Sequence, residues 1–190
     1  AELQESGVDY TIIRPTAFFK SLAGQVARVK KGKRFIVFDN GEKVSTKPIS
    51  ERDLARFIVD TMNSPSTRNK ILPIGGPGPN LNQREIGNIL FDLLGVKPKF
   101  FYFPSQVFRL VSMFLYPLCF FSTSIRDTRE FIEIAYYYAT ESMLVWDGDK
   151  DHYSAEATPE SGSDTIDAYY LQMLGAETDG HTLHGNRLFK

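Results

Sequence analysis

The chain of 190 residues is short of the residue types that several kinds of chemistry require. It has one cysteine, Cys119, inside an apolar run, which excludes a disulfide framework and a metal site built on thiolates. Its three histidines, His152, His181 and His184, lie in polar stretches. His181 and His184 have helical i, i+3 spacing, but Gly180 and Gly185 flank them and no carboxylates cluster there. They are read as solvated, and no metal site is expected. The net charge of −1 offers no basic footprint for nucleic acid. The longest apolar run, Val107 to Phe121, is broken by Arg109 and Ser112 and kinked by Pro117, and it is too short to span a bilayer. No signal or transit peptide is recognisable.

Two more absences concern nucleotide chemistry. The only glycine-rich loop is Gly75-Gly-Pro-Gly78. A dinucleotide fingerprint needs glycines spaced so that the helix N-terminus faces the pyrophosphate. Here Pro77 and Pro79 interrupt the spacing and the next helix waits until after Asn82, so the loop is expected to be a rigid strand-to-helix turn. Common short-chain reductases place a lysine four residues after a tyrosine, so that the ammonium lowers the phenol pKa for proton transfer. None of the nine tyrosines has a lysine there, so no catalytic residue can be assigned from that pattern.

What is present describes an α/β domain. The composition, 42% apolar and 13% aromatic, supports a real core. Ala1 to Gly7 reads as the end of a helix stopped by glycine, followed by an apolar strand, Tyr10 to Ile13, that runs into Arg14-Pro15. That order is expected of the C-terminal half of a doubly wound, Rossmann-like fold, plus a substrate-binding subdomain, with the N-terminal half missing. Residues 1–175 form this substrate-side part, and 176–190 read as a polar, disordered tail.

Phe18, Leu22, Val26 and Val29 predict one helix face. The turn Asp39-Asn-Gly41 between Phe35–Phe38 and Val44–Ile49 predicts a hairpin. Ser50 and Asp53 form a capping-box variant before a helix that buries Leu54, Phe57, Ile58 and Met62. Asn82 and Glu85 open a helix with core positions Ile86, Ile89, Leu90, Leu93 and Leu94, ended by Gly95. Strands follow at Ile71–Ile74, Lys99–Phe103 and Met143–Trp146, and helices from Ser105 or Gln106, from about Ile125 to Ala139, and at Ile166 to Leu174.

Open α/β sheets bind ligands at the C-terminal ends of their strands. Backbone groups at Pro15, Thr16 and Ala17, with Phe18 and Phe19 as aromatic walls, are therefore candidates for a cofactor and substrate lip. The two phenylalanines serve equally well as core. Aromatics are dense over Phe100-Phe-Tyr-Phe103 and Tyr136-Tyr-Tyr138, and strand alternation sends two of the first four rings to each face. A large flat apolar ligand, a second core layer or a membrane-surface contact would each use the surplus.

Several stretches together resemble the NADPH-dependent divinyl chlorophyllide a 8-vinyl reductases, atypical short-chain dehydrogenase/reductases close to the NmrA-like and isoflavone-reductase-like group. They are Ala1 to Gly7, Asp9-Tyr-Thr-Ile-Ile-Arg-Pro-Thr-Ala-Phe-Phe-Lys-Ser-Leu22, Lys47-Pro-Ile-Ser-Glu-Arg-Asp-Leu-Ala55 and Ile74-Gly-Gly-Pro-Gly78. Tyr138-Ala-Thr-Glu-Ser-Met-Leu144 and Ala155-Glu-Ala-Thr-Pro159 complete the set. The Arg-Pro and Ile-Ser-x-x-Asp-Leu-Ala pieces are generic to atypical short-chain reductases. Arg-Pro-Thr-Ala-Phe-Phe-Lys and Tyr-Ala-Thr-Glu-Ser-Met-Leu are particular to this family.

The resemblance implies an oxidoreductase of chlorophyll biosynthesis, in the plastid, that reduces the 8-vinyl group of a chlorophyllide or protochlorophyllide to ethyl with hydride from NADPH. It implies Pro15, Thr16, Ala17 and Phe18 beside the nicotinamide. It implies a tetrapyrrole held by Phe19, Lys20, Lys47, Phe101, Phe103, Tyr138 and Glu141, with Lys20, Lys47 or Arg109 as partner for the propionate. Without a glycine loop the isolated chain is expected to be inactive. The rival readings are a reductase for another flat aromatic substrate and a non-catalytic NmrA-like sensor that binds NADP.

Overall fold

Two short parallel ladders organise the molecule, and side-chain amides close the free edge of one of them. A computed structural model describes residues 2–176; the remainder of the tail, with His181 and His184, lies outside the described residues.

A short helix α1 (Glu2–Glu5) precedes β1 (Thr11–Pro15), which pairs in parallel with β4 (Lys70–Ile74), Thr11 opposite Lys70 and Pro15 opposite Ile74. The second ladder joins β2 (Phe35–Phe38) to β6 (Phe100–Phe103), also in parallel, with Phe35 opposite Phe100 and Phe38 opposite Phe103. Small antiparallel pairs are made by β3 (Ser45–Thr46) with β5 (Leu81–Asn82) and by β7 (Val145–Asp147) with β8 (His152–Ser154). Around them lie α2 (Phe19–Leu22), α3 (Val26–Lys30), α4 (Glu51–Met62) and α5 (Gln83–Leu94). They are followed by α6 (Gln106–Leu115), α7 (Thr123–Thr140) and α8 (Ile166–Ala176).

The helix α5 forms as its sequence dictates. The Asn82 side chain accepts from the Glu85 N–H at 2.9 Å, the Glu85 carboxylate accepts from the Asn82 N–H at 2.7 Å, and Gly95 ends the helix in the left-handed conformation. Its inner face buries Ile86, Leu90 and Phe91 against Phe19, Val26, Val29, Phe35, Val37, Ile166 and Tyr170. A second cluster, Ile49, Leu54 and Ile74 with Ile13, Phe18 and Phe57 packed on it, lies under the ends of β1 and β4.

Three expectations are corrected. The Asp39-Asn-Gly41 turn forms, with the Gly41 N–H donating to the Phe38 carbonyl at 2.8 Å, but no hairpin follows it. β6 takes one edge of β2. On the other edge, the Gln25 side chain bonds both the N–H and the carbonyl of Ile36, and Gln83 accepts from the Phe38 N–H. With that edge occupied by side-chain amides, β3 pairs elsewhere, on β5.

The helix predicted from Phe18 to Val29 is interrupted by a 3-10 turn at Ala23–Gln25, which brings the Gln25 amide to that edge. In α4, Leu54 is buried and Phe57 half-buried, but Ile58 and Met62 are exposed. Periodicity defines a face; it does not supply the neighbour that covers it. The short strand β8, His152–Ser154, is not among the strands expected from the sequence.

Candidate functional site at the C-terminal edge of the strands

Three segments converge where β1 and β4 end, and a fourth straps them. Past Pro15, the Thr16 N–H donates to the Ile74 carbonyl at 2.9 Å, extending the ladder, and the Thr16 hydroxyl donates to the Lys47 carbonyl. The Ala17 N–H donates to the Thr46 hydroxyl at 3.1 Å, and the Ile49 N–H donates to the Ala17 carbonyl at 3.0 Å. The Phe19 N–H donates to the Ile49 carbonyl at 3.1 Å. Thr16 and Ala17 are buried, and these backbone donors are consumed within the protein. Pro15 and Phe18 stay half-buried at the lip, Phe18 packing on the Ile49–Leu54–Ile74 cluster.

The Gly75-Gly-Pro-Gly78 loop packs backbone on backbone. A Cβ at Gly76 would lie 1.8 Å from the Pro48 carbonyl oxygen, and one at Gly75 would lie 2.6 Å from the Lys47 Cβ. The Gly76 N–H donates to the Lys47 carbonyl at 3.0 Å. The loop is thus a turn fitted to residues 47–49, in keeping with the reading of its sequence.

The strap, residues 159–164, lies on the far side of β4. The Gly75 N–H donates to the Pro159 carbonyl at 2.8 Å, and the Ser161 N–H donates to the Gly75 carbonyl at 3.0 Å. Glu160 receives the Lys47 ammonium at 3.3 Å and the Gly78 N–H at 3.1 Å. Asp53, at 1% exposure, accepts with one oxygen from the N–H groups of Ser163 (2.9 Å) and Asp164 (2.8 Å), while Arg56 lies 3.5 Å from the other. Gly162, at φ +95°, crosses Asp53 so closely that a Cβ would sit 2.2 Å from its carboxyl carbon. Asp164 accepts from the Ser50 hydroxyl at 2.6 Å and pairs with Arg52. The Arg52 and Ser50 hydrogen bonds hold its carboxyl below the ordinary range.

Beside the lip, a cleft of about 400 Å³ is lined by Ser45, Asn80, Ser142, Leu144, Tyr153 and Ala155, among others. Here the Tyr138–Leu144 and Ala155–Pro159 stretches meet. Ser142 accepts from the Ser45 N–H at 2.9 Å, the Met143 N–H donates to the Ser45 carbonyl at 3.0 Å, and Thr158 accepts from the Val145 N–H at 2.8 Å. The Tyr153 hydroxyl donates to Glu141 at 2.8 Å, and that bond raises the phenol pKa.

The sequence-predicted site residues thus fall into separate groups. Pro15, Thr16, Ala17, Phe18 and Lys47 share the lip, with Lys20 exposed one residue into α2. Phe19 is buried at 1% exposure with its ring 5.5 Å from that of Tyr169, so it belongs to the core. Lys47 is buried and engaged by Glu160. Phe103 packs on Phe38 and Phe108 at the foot of α6, and Phe101 is exposed on β6. Tyr138 is exposed near the end of α7, and Glu141 follows that helix.

Sequence reasoning missed Glu160, Ser163 and Asp164. The one signal available was Asp53, whose N3 position looked like local capping although its carboxylate reaches more than a hundred residues along the chain.

No family model matches the chain. Among solved structures, an isoflavone reductase superposes with a TM-score of 0.62 at 18% identity, over 90% of this chain and 54% of that one. The structure described as AtPrR2 with NADP+ and (+)pinoresinol gives 0.60 at 16% identity, over 90% and 53%. These likenesses establish a Rossmann-like α/β fold. A divinyl chlorophyllide a 8-vinyl-reductase of Cucumis sativus, named as chloroplastic, is 43% identical over 189 residues, which is 100% of this chain and 45% of that protein. Over its whole length, therefore, the chain is similar to rather less than half of an 8-vinyl-reductase, the group that its sequence motifs also resemble.

Proposed function

We propose that the chain forms the substrate side of a plastid reductase that converts the 8-vinyl group of divinyl chlorophyllide a, or the matching protochlorophyllide, to ethyl with NADPH. The observation that carries this reading is the 43% identity over 189 residues to a relative of that name. The meeting of two of the resembling stretches, Tyr138–Leu144 and Ala155–Pro159, at one cleft beside the sheet edge supports it.

The residues present suit the nicotinamide end of a dinucleotide and not its pyrophosphate. Pro15 and the Phe18 ring give an apolar wall, while the glycine loop is filled by Lys47 and Pro48. NADPH, when bound, supplies the hydride. The chain's own residues would shape its surroundings. Pro15 and Phe18 exclude water from one face of the nicotinamide, and the cleft receives an edge of the macrocycle with Ser142 and Asn80 as polar contacts. Of the cations considered for the propionate, Lys47 is held by Glu160, whereas Lys20 is exposed and in no ion pair among the described residues. Arg109 is also exposed but lies on α6, whereas Lys20 sits beside the lip, so Lys20 is the partner this reading favours.

The test is to replace the matching segment of the Cucumis sativus reductase with this chain and follow conversion of divinyl chlorophyllide a with NADPH. Turnover is expected, and Lys20→Ala in that chimera should raise KM with little change in kcat. A folded chimera that binds NADPH without turnover would favour the sensor reading and overturn the enzyme.

A further inference from the structure

From Leu110 to Ile125 the chain carries no Asp, Glu, Lys, Arg or His. This stretch is the end of α6, a 3-10 turn over Tyr116–Phe120 and the start of α7, and the two helices pack along each other. Its apolar side chains nevertheless face outward: Phe114 is 71% exposed, Phe120 78% and Phe121 86%, with Met113 and Leu118 exposed beside them. The base of the hairpin is tied down. Glu133 accepts from the Ser112 hydroxyl at 3.0 Å and from Arg129, and the Arg129 guanidinium lies 5.1 Å from the centre of the Tyr116 ring.

The charges that border the uncharged stretch are Arg109 on one side and Arg126 on the other. Both are exposed, and neither is in an ion pair among the described residues. The acids of α7 begin only at Asp127. An apolar tip bordered on each side by an exposed arginine is an arrangement by which a protein enters the headgroup region of an anionic bilayer without crossing it. No helix among the described residues is long and apolar enough to cross.

We propose that the α6–α7 tip docks this protein on an anionic lipid surface, inserting Phe114, Phe120 and Phe121 while Arg109 and Arg126 meet the lipid phosphates. A second copy is disfavoured as occupant, because a symmetric tip-to-tip contact would bring the arginines of both copies together. The proposal is independent of the reductase reading, since lipid binding needs neither cofactor nor substrate.

The test is co-sedimentation of the 190-residue chain with vesicles of phosphatidylcholine, alone and with added phosphatidylglycerol. Binding should need the anionic lipid and weaken with salt. Phe120→Ser with Phe121→Ser should weaken it by roughly tenfold or more, and Arg109→Gln with Arg126→Gln by roughly tenfold. The replaced side chains are exposed, so the circular dichroism melt should not move. As a second readout, Phe121→Trp in a Trp146→Phe background should blue-shift in emission on anionic vesicles. Binding unaffected by the phenylalanine substitutions would overturn the proposal. So would a concentration-dependent dimer that those substitutions abolish, without any lipid binding.

Discussion

The strapped edge of the β1–β4 ladder and the α6–α7 hairpin treat the same problem, where to put a polar backbone and apolar side chains, in opposite ways. At the edge, the backbone donors of residues 16, 17, 19, 49, 75 and 76 bond within the protein, and a buried carboxylate holds the strap. In the hairpin the helices satisfy their own backbones and leave large side chains in water. The first region is over-determined by long-range contacts and tolerates little. The second is determined locally and tolerates much.

Substitutions should reveal that contrast. The largest effect is expected of Gly76→Ala, whose Cβ would meet the Pro48 carbonyl. Because the obstacle is backbone, the loss should reach about 3 kcal/mol or more, read from the denaturant midpoint. Next comes Asp53→Ala, which removes the buried carboxylate that ties the Ser163 and Asp164 N–H groups to α4 and should cost about 2 kcal/mol. Asp53→Asn, which keeps one acceptor oxygen, should cost less. An unchanged midpoint for both would mean that the strap adds nothing to the edge.

These two sites also mark the limit of what the sequence discloses. The α5 helix was legible in full, because the Asn82–Glu85 box, the apolar stripe and Gly95 are contacts within one element. The strap was not, because Asp53 and Gly162 look like ordinary cap and loop residues until residues 159–164 arrive. The turn at Asp39–Gly41 was legible as a reversal, but its hairpin was not, because Gln25 and Gln83 take the strand edge with side chains that no strand pattern reports. The strand-end rule puts Pro15 to Phe18 at the C-terminal end of a strand, and the structure has them at the end of β1. What the sequence could not say is that their backbone donors are used internally.

Smaller effects sharpen the comparison further. Ser50→Ala removes both the cap on the Asp53 N–H and the hydroxyl that Asp164 accepts, and should cost about 1–2 kcal/mol. Asp164 and Asp39 have folded pKa values below the ordinary carboxylate value, Asp164 through Arg52 and Ser50, and Asp39 through the Ser105 N–H and hydroxyl. The stability they contribute is therefore complete above the unfolded value, about 4, and is lost as pH falls through the folded values. Urea midpoints measured from neutral pH downward should drop on that acid limb, and Asp164→Asn should flatten it. The smallest change is expected in the hairpin: Phe114→Ser should move the melt by no more than about 0.5 kcal/mol, since that ring is already in water. A large loss there would erase the distinction between the regions.

The strap has a consequence for how the molecule is made. Ser50 and Asp164 are 114 residues apart in sequence, and Lys47 and Glu160 are 113 apart. Loop closure of that length is slow, and during synthesis it cannot begin until most of the chain has left the ribosome. The edge that carries the proposed chemistry therefore matures only after residues 159–164 arrive, whereas the α6–α7 hairpin is built from contacts close in sequence.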